Sequence, residues 1–416
     1  MNNKRNLVII GGGPAGMMAA LSARLDHPNV LLIEKNARLG KKLLLTGGRR
    51  CNFTNLADIS QYQEHFFHGG KFLRDAFKGF SNQDTLQFFK NNGVNYKLED
   101  NGCVFPSTGR AESVLEVFEK KIKQNKINLL FNCRLSKIIV KNAKVKGIQL
   151  DNNRIVDCSC LVLATGGVSY PDTGSTGEGL KIAAQLGHEI SDLRPGLVSL
   201  QAGQKYIRNL EGLSIKGATF VFRSNNRKLK SKKGDFLFTN NGLSGPLALS
   251  SSSIIAEWLA KSEKVQLTID FYPGIAKEIL AERLKKEISL HSKKNIDNLL
   301  GTIVAQRLAE EILSINNIKP TKKVSYITKA EIIAITDSLK KMQLDITGSG
   351  SIEKAMITQG GVSLKQVCPK TMESRIVQGL YFAGEILDID GDCGGFNLQS
   401  AFSTGHWAGK QAGLAV

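Results

Sequence analysis

Leu7-Val8-Ile9-Ile10-Gly11-Gly12-Gly13-Pro14-Ala15-Gly16 is the stretch that decides the fold. Four consecutive apolar residues ended by glycines suit a strand buried on both faces. The glycines fit G-x-G-x-x-G, and an Ala-, Met- and Leu-rich helix follows from about Ala15 to Leu25. Val30-Leu31-Leu32-Ile33 is the next buried strand, and Glu34 ends it. The βαβ context, with an acid at that distance, turns a weak pattern into a dinucleotide fingerprint. Gly11 permits the tight turn, Gly13 lets the backbone approach a pyrophosphate, and Gly16 allows close helix–strand packing. The helix N-terminus offers unpaired N–H groups and partial positive charge to phosphates. The Glu34 carboxylate is placed to accept hydrogen bonds from ribose hydroxyls.

Two further apolar runs end in glycine: Leu161-Val162-Leu163-Ala164 before Thr165-Gly166-Gly167, and Leu380-Tyr381-Phe382-Ala383 before Gly384. They read as parallel strands of the same sheet, interrupted by an insertion. A meander is expected through 138–140, 145–148 and 155–156, and helices over 72–80, 84–92, 112–126 and 397–411. The texture changes after Arg194-Pro195-Gly196. Residues 197–272 read as short alternating strands of an antiparallel domain, and 276–341 as charged helices. The expected organisation is a discontinuous nucleotide domain (1–194 and 354–416), a β-rich substrate domain (195–273 and 337–353) and a helical insertion (274–336). Gly348-Ser349-Gly350 reads as a domain-crossing linker.

The choice between dinucleotides falls on FAD. The segment after Glu34 carries a second glycine-rich, basic stretch, Thr46-Gly47-Gly48-Arg49-Arg50-Cys51-Asn52, suited to an extended cofactor. Gly394-Gly395-Phe396-Asn397 opens the final helix, whose N-terminus would stabilise negative charge developing on a reduced flavin. Glu385 is placed for ribityl hydroxyls. The absence of a second G-x-G-x-x-G fold argues against stably bound NAD(P)H and leaves room for a transient NAD(P)H donor.

Composition bounds the rest. Hydrophobic residues at 42% and charged residues at 22% suit a globular chain with sizeable cores. No long uncharged apolar stretch predicts a membrane span. No cleavage-site pattern follows the first strand, so no secretory leader is expected. The seven cysteines are odd in number and form no C-x-x-C pair, which argues against a disulfide framework and a zinc site and suits the cytoplasm. Cys158 and Cys160 read as core or edge thiols, His406 as structural and His188 as a surface or capping residue. Net charge is +19, and residues 205–341 hold 24 Lys or Arg against 13 Asp or Glu. Such an excess suits acidic partners; a Lys-rich solvated surface accounts for it equally simply.

The chain resembles the BaiN/YhiN-like family of FAD-dependent oxidoreductases. The resemblance rests on GGGPAG (11–16), GKKLLLTGGRRCNFTN (40–55), LVLATGGVSYPDTGSTGEGLKIAAQLGH (161–188), LVSL (197–200), GLSGP (242–246), TQGGVSL (358–364), TMES (371–374) and GLYFAGEILDIDGDCGGFNLQSAFSTG (379–405). It implies an α/β fold: a glutathione-reductase-like FAD-binding domain with an inserted antiparallel β-barrel-like domain and a small helical domain. It also implies that Gly11, Gly13, Pro14, Ala15, Gly16, Glu34 and Lys35 hold the adenosine and pyrophosphate. Lys41, Arg50, Cys51 and Asn52 would lie near the flavin half. Ala164, Thr165 and Gly166 would make a second contact, and Arg134 or Leu135 would touch the adenine. Gly384, Glu385, Asn397, Leu398 and Gln399 would meet the ribityl chain or the isoalloxazine. Arg49 stands where the family usually carries a small residue.

The expected function is hydride transfer between a small organic substrate, seated over the flavin, and flavin N5. The resemblance allows reduction of an activated C=C bond or oxidation of an amine or aminoketone by oxygen. Two alternatives stand beside it: a flavoenzyme acting on or bound to tRNA through the basic 205–341 region, and a flavin-binding interaction protein with little turnover. No catalytic residue is fixed by the sequence; Tyr170 and Asp388 are the polar candidates for steering a proton.

Overall fold

The computed structural model describes residues 6–416. The N-terminal residues weighed for a leader lie largely outside them. The chain forms two compact units, 1–196 with 351–416, and 197–350.

In the first unit the strand Asn6–Ile10 lies between Val30–Glu34 and Ile155–Leu163, all parallel. Asn128–Phe131 extends the sheet beyond Val30–Glu34, and Leu380–Phe382 pairs in parallel with the far side of Ile155–Leu163. The three glycine-ended runs are therefore neighbours at the centre of one sheet, although some 150 and 220 residues separate them in sequence. Leu7, Val8, Ile9, Leu161, Val162, Leu163, Leu380 and Phe382 are all fully buried, as strands covered on both faces require. Residues 155–156 and 161–163 belong to one nine-residue strand. Its first half pairs antiparallel with Lys144–Leu150, and its second half joins the parallel sheet.

The helices Pro14–Asp26 and Phe396–Leu414 bring the two ends of the chain together. Gly405, Gly409 and Gly413 recur every four residues and so share one helix face. A Cβ on Gly405 would run into Ala15 O, one on Gly409 into Ala19 O, and one on Gly413 would sit 3.1 Å from Ala23 O. These helices touch backbone to backbone. On an exposed helix, Gly→Ala gains about 1 kcal/mol. Gly409→Ala is expected instead to cost about 1–3 kcal/mol through overpacking, read as a lower urea midpoint. A midpoint at or above wild type would show that the two helices stand apart.

The second unit is built on an antiparallel sheet ordered Arg227–Lys230, Ser214–Ser224, Gly234–Thr239, Gly242–Ser244, Leu200–Ala202, Met342–Ser349, Val265–Asp270. The last strand also pairs with Ser214–Ser224, which closes six of the strands into a ring. The helices Lys277–Leu290, Ile296–Leu300, Gln306–Ile315 and Lys329–Lys341 share one apolar core with this sheet, through Leu280, Leu284, Leu299 and Ile335 beside Phe220, Phe236 and Leu267. Alternation alone reads 197–272 as strands throughout; the structure has a 15-residue helix there, Pro246–Ala260. Its Leu-Ala-Leu-Ser-Ser-Ser-Ser-Ile-Ile run is buried around most of its circumference, so the sequence shows no amphipathic stripe.

His188 is not a surface residue. It is buried, with Nδ1 against Ala183 O (3.1 Å) and Nε2 against Ser374 Oγ (2.8 Å), and burial lowers its pKa. His406 is structural: Nδ1 meets Ser22 Oγ at 2.9 Å, and burial pushes its pKa down to about 4. Cys158 and Cys160 are buried core thiols.

Candidate cofactor cleft

A cleft opens in the first unit where the central strands end. Its wall includes Gly11, Gly13, Pro14, Ala15, Glu34, Lys35, Lys41, Arg134, Leu135, Ala164, Thr165, Gly166, Gly384, Glu385, Asn397 and Leu398, which the sequence reading had scattered over nearly 400 positions. The atom-free space, with its open mouth, is ≈ 1360 Å³.

The glycine turn is shaped by close approach. Gly11 has φ +108°, and a Cβ there would strike the carbonyl of Ala164, where the two strand ends cross. A Cβ on Gly16 would strike the Gly11 carbonyl, so the helix packs directly on the turn. Gly13 differs: φ is −81°, and an added Cβ would meet no described atom within 4 Å. The space beside it faces the cleft at the helix N-terminus. Thr165 supplies a second sign. Thr165 lines the same cleft, and its buried Oγ1 makes no hydrogen bond among the described residues. An orphaned buried hydroxyl costs about 1–3 kcal/mol, which a bound polar group recovers. Glu34, buried, accepts from Gly12 N–H (2.6 Å), Asn36 N–H (2.8 Å) and Asn36 Nδ2 (2.7 Å). These bonds fix the carboxylate at the end of its strand. The open glycine, the orphaned hydroxyl and the fixed acid fit a dinucleotide.

Part of the cleft wall is an ion-paired network. Lys42 Nζ donates to both Glu385 oxygens (2.7 and 2.9 Å) and to Ser169 Oγ (2.6 Å), and Glu385 Oε1 also accepts Thr358 N–H (2.7 Å). Lys42 and the Thr173–Gly179 segment line the cleft without having been singled out in the sequence. Glu178 of that segment pairs with Lys35 (3.2 Å) and Arg134 (3.5 Å). The legible signal for the segment was its Asp-Thr-Gly-Ser-Thr-Gly-Glu run (172–178). For Lys42 no spacing rule separates it from Lys41, whose Nζ bonds Asn36 Oδ1 at 2.9 Å.

Five of the named residues do not line the cleft. Gly16 lies in the helix, behind the turn. Arg50 pairs with Glu99 (2.8 Å) and lies over the Phe105 ring. Cys51 is fully buried, and burial pushes its thiol up to about 12, away from redox reactivity. Asn52 accepts from Val104 N–H (3.1 Å), and Gln399 is buried against Thr54 Oγ1 (2.6 Å) and Ser403 Oγ (3.0 Å). With Asn55 Nδ2 donating to Gly394 O (2.9 Å), the 52–55 segment braces the start of the last helix. Arg49 is exposed with φ +69°. That left-handed backbone favours glycine. Of the two proton candidates, Tyr170 sits at φ +53°, with its backbone N–H bonded to Glu353 O. Asp388 accepts from Ser191 Oγ at 2.6 Å.

A glycine-rich strand–turn–helix on a central parallel sheet, with this cleft, defines a Rossmann-type dinucleotide-binding flavoprotein. The chain belongs to the HI0933-like protein Rossmann domain family, whose model matches residues 5–411, and it is an FAD-dependent oxidoreductase, as its motifs led us to expect. A 3-dehydro-bile acid delta(4,6)-reductase of Clostridium scindens is 32% identical over 415 residues, covering 97% of this chain and 98% of its own. A ribosomal RNA dihydrouridine synthase of Escherichia coli is 30% identical over 411 residues, covering 98% of each chain. Among solved structures, 3-ketosteroid delta1-dehydrogenase from Sterolibacterium denitrificans, in complex with 1,4-androstadiene-3,17-dione, shares the fold with a TM-score of 0.56 at 12% identity; the match covers 99% of this chain and 100% of that one. No described helix is long and apolar enough to cross a membrane.

Proposed function

We propose that the chain reduces a carbon–carbon double bond conjugated to a carbonyl in a small organic molecule. The observation that carries this reading is chemical. Two full-length relatives at 30–32% identity are named for substrates as different as a bile acid and the uridine of ribosomal RNA, and both names describe saturation of a C=C bond. Neither describes oxidation of an amine, the other reaction the resemblance allowed.

Bound non-covalently, FAD supplies a two-electron hydride carrier. The backbone N–H groups of Gly13 and Ala15 and the helix dipole would hold its pyrophosphate. Glu34 would meet the adenosine ribose, and Thr165, whose Oγ1 has no partner among the described residues, would lie beside the cofactor. The N-terminus of Phe396–Leu414, at Asn397 and Leu398 in the cleft wall, offsets negative charge on the flavin end.

To test this, the photoreduced holoenzyme is mixed anaerobically with 4-androstene-3,17-dione as a conjugated-enone probe, and the return of oxidised-flavin absorbance is followed. Reoxidation by the enone, with a saturated product, is the expected result. Reoxidation by oxygen alone, with the enone and uridine both inert, overturns the reading in favour of an oxidase.

A second reading is favoured by charge. With +19 overall and the excess concentrated at 205–341, the double bond could belong to a uracil base in RNA. In that case a uridine-containing RNA reoxidises the flavin where free uridine does not, and the rate falls steeply with salt.

A further inference from the structure

Beside the cofactor cleft the strand Phe66–His68 pairs antiparallel with Asp390–Gly391, placing His68 opposite Asp390. His68 Nδ1 lies 2.6 Å from Asp390 Oδ1. Asp390 is fully buried, whereas the His68 side chain is 46% exposed. Gln359 Nε2, itself buried, donates to the other Asp390 oxygen at 3.1 Å. The Asp388 carboxylate stands in the same cluster, all its ligand atoms within 4.8 Å of one another.

This group is fastened to the cleft on two sides. Ile389, between the two aspartates, lines the cleft, and Gly69, next to His68, lies against Ile389. Gly391, next to Asp390, donates its N–H to Asn397 Oδ1 (2.9 Å), and Asn397 also lines the cleft.

We propose that His68 is the proton-transfer group of the reaction and that Asp390 is the residue that positions it. Burying a carboxylate is costly unless it is paired and hydrogen-bonded. Two short strands that already pair through their backbones do not need such a carboxylate to hold an exposed ring. A short bond from Nδ1–H to a fixed carboxylate does one thing that packing cannot. It sets the tautomer and, by the ring's geometry, turns Nε2 away from Asp390. That is the base-and-orienter geometry of general acid–base sites.

The step balances with the reading above, on which the assignment rests. The substrate carbon β to the carbonyl gains a hydride from reduced FAD, which is oxidised, and the α carbon gains the His68 proton. The neutral imidazole then recovers a proton from water. The reduced FAD itself is regenerated by a two-electron donor of the nicotinamide class or, in the test, by light.

The test uses full-length FAD-loaded chain carrying His68→Gln or Asp390→Asn. Titratable groups around His68 include Asp390, Asp388 and, next along the paired strands, the His65–Asp392 pair at 3.2 Å. In ¹³C,¹⁵N-histidine NMR the signal lost in H68Q identifies His68. Its titration midpoint is expected to fall in D390N, because the imidazolium loses its carboxylate. Reoxidation of the photoreduced enzyme by 4-androstene-3,17-dione should slow as pH rises through that midpoint. H68Q should retain FAD and melt normally, yet be slower by about 10²–10⁴-fold and flat with pH. D390N should carry the pH profile down with the NMR midpoint. An H68Q rate within threefold of wild type, or a profile that ignores the NMR midpoint, overturns the assignment. If neither the enone nor uridine, free or in RNA, reoxidises wild type, the C=C reading falls and the NMR arm decides alone: an equal midpoint in D390N and wild type overturns the dyad, and a lowered one upholds it.

Discussion

Gly13→Thr is expected to leave the protein folded and unable to hold FAD. The two consequences separate because of where Gly13 sits. Its backbone is extended, at φ −81° and ψ −177°, so any residue can adopt it. The added side chain would meet no described atom within 4 Å, and threonine is itself a competent helix N-cap. The apo-protein should therefore melt within a few degrees of wild type. The space that the threonine fills is the space the pyrophosphate needs to reach the N–H groups of the helix start. FAD affinity should fall by at least about 100-fold, roughly 2.8 kcal/mol at 1.4 per tenfold, measured by quenching of flavin fluorescence on titration into apo-protein. Gly11→Thr makes the contrast. At φ +108°, with the Ala164 carbonyl where its Cβ would go, it should damage the fold itself. If G13T bound FAD as wild type does, the pyrophosphate could not pass over this turn.

The same residue shows how far the sequence could be read. G-x-G-x-x-G after a buried strand encodes a local structure, and everything that depends on local structure was legible: the turn, the helix, Glu34 at the next strand end. The other two glycine-ended runs were legible too, because a strand buried on both faces must be apolar throughout and end abruptly. What escaped depends on partners distant in sequence. Arg50, Cys51 and Asn52 sit in a motif that looks like a cofactor loop. Nothing local says that Asn52 faces Val104, or that this segment props the last helix by way of Asn55 and Gly394. The helix Pro246–Ala260 escaped for the opposite reason: burial on most sides erased the periodicity that identifies a helix. His68 carries no motif at all; it acquires meaning only when strand pairing sets it against a buried aspartate 322 residues away.

Lys42 escaped in the same way, and its replacement is the second large effect to expect. The sequence offers Lys41 and Lys42 side by side, and only the fold brings Lys42 to Glu385, Ser169 and, through Glu385, Thr358. Both charged side chains are about four-fifths buried, at 20% and 22% exposure. Lys42→Met leaves the Glu385 carboxylate without its cation. For a pair intermediate between exposed and fully buried, that should cost about 2 kcal/mol of stability. The variant also removes one positive charge from a cleft that must accept a doubly phosphorylated cofactor. At an effective dielectric near 20, the loss of one charge from the cleft wall is worth on the order of 2 kcal/mol, or roughly a 30-fold loss of FAD affinity. The double variant Lys42→Met with Glu385→Leu separates the two costs. Replacing a whole ion pair by apolar groups is often neutral for stability, so its urea midpoint should return toward wild type. Its FAD affinity should stay weaker than wild type, because Lys42 and Glu385 both line the cleft and neither is left to meet the cofactor. Should affinity recover together with stability, Lys42 would be there for Glu385 alone and the cofactor would draw its positive field from the helix N-termini.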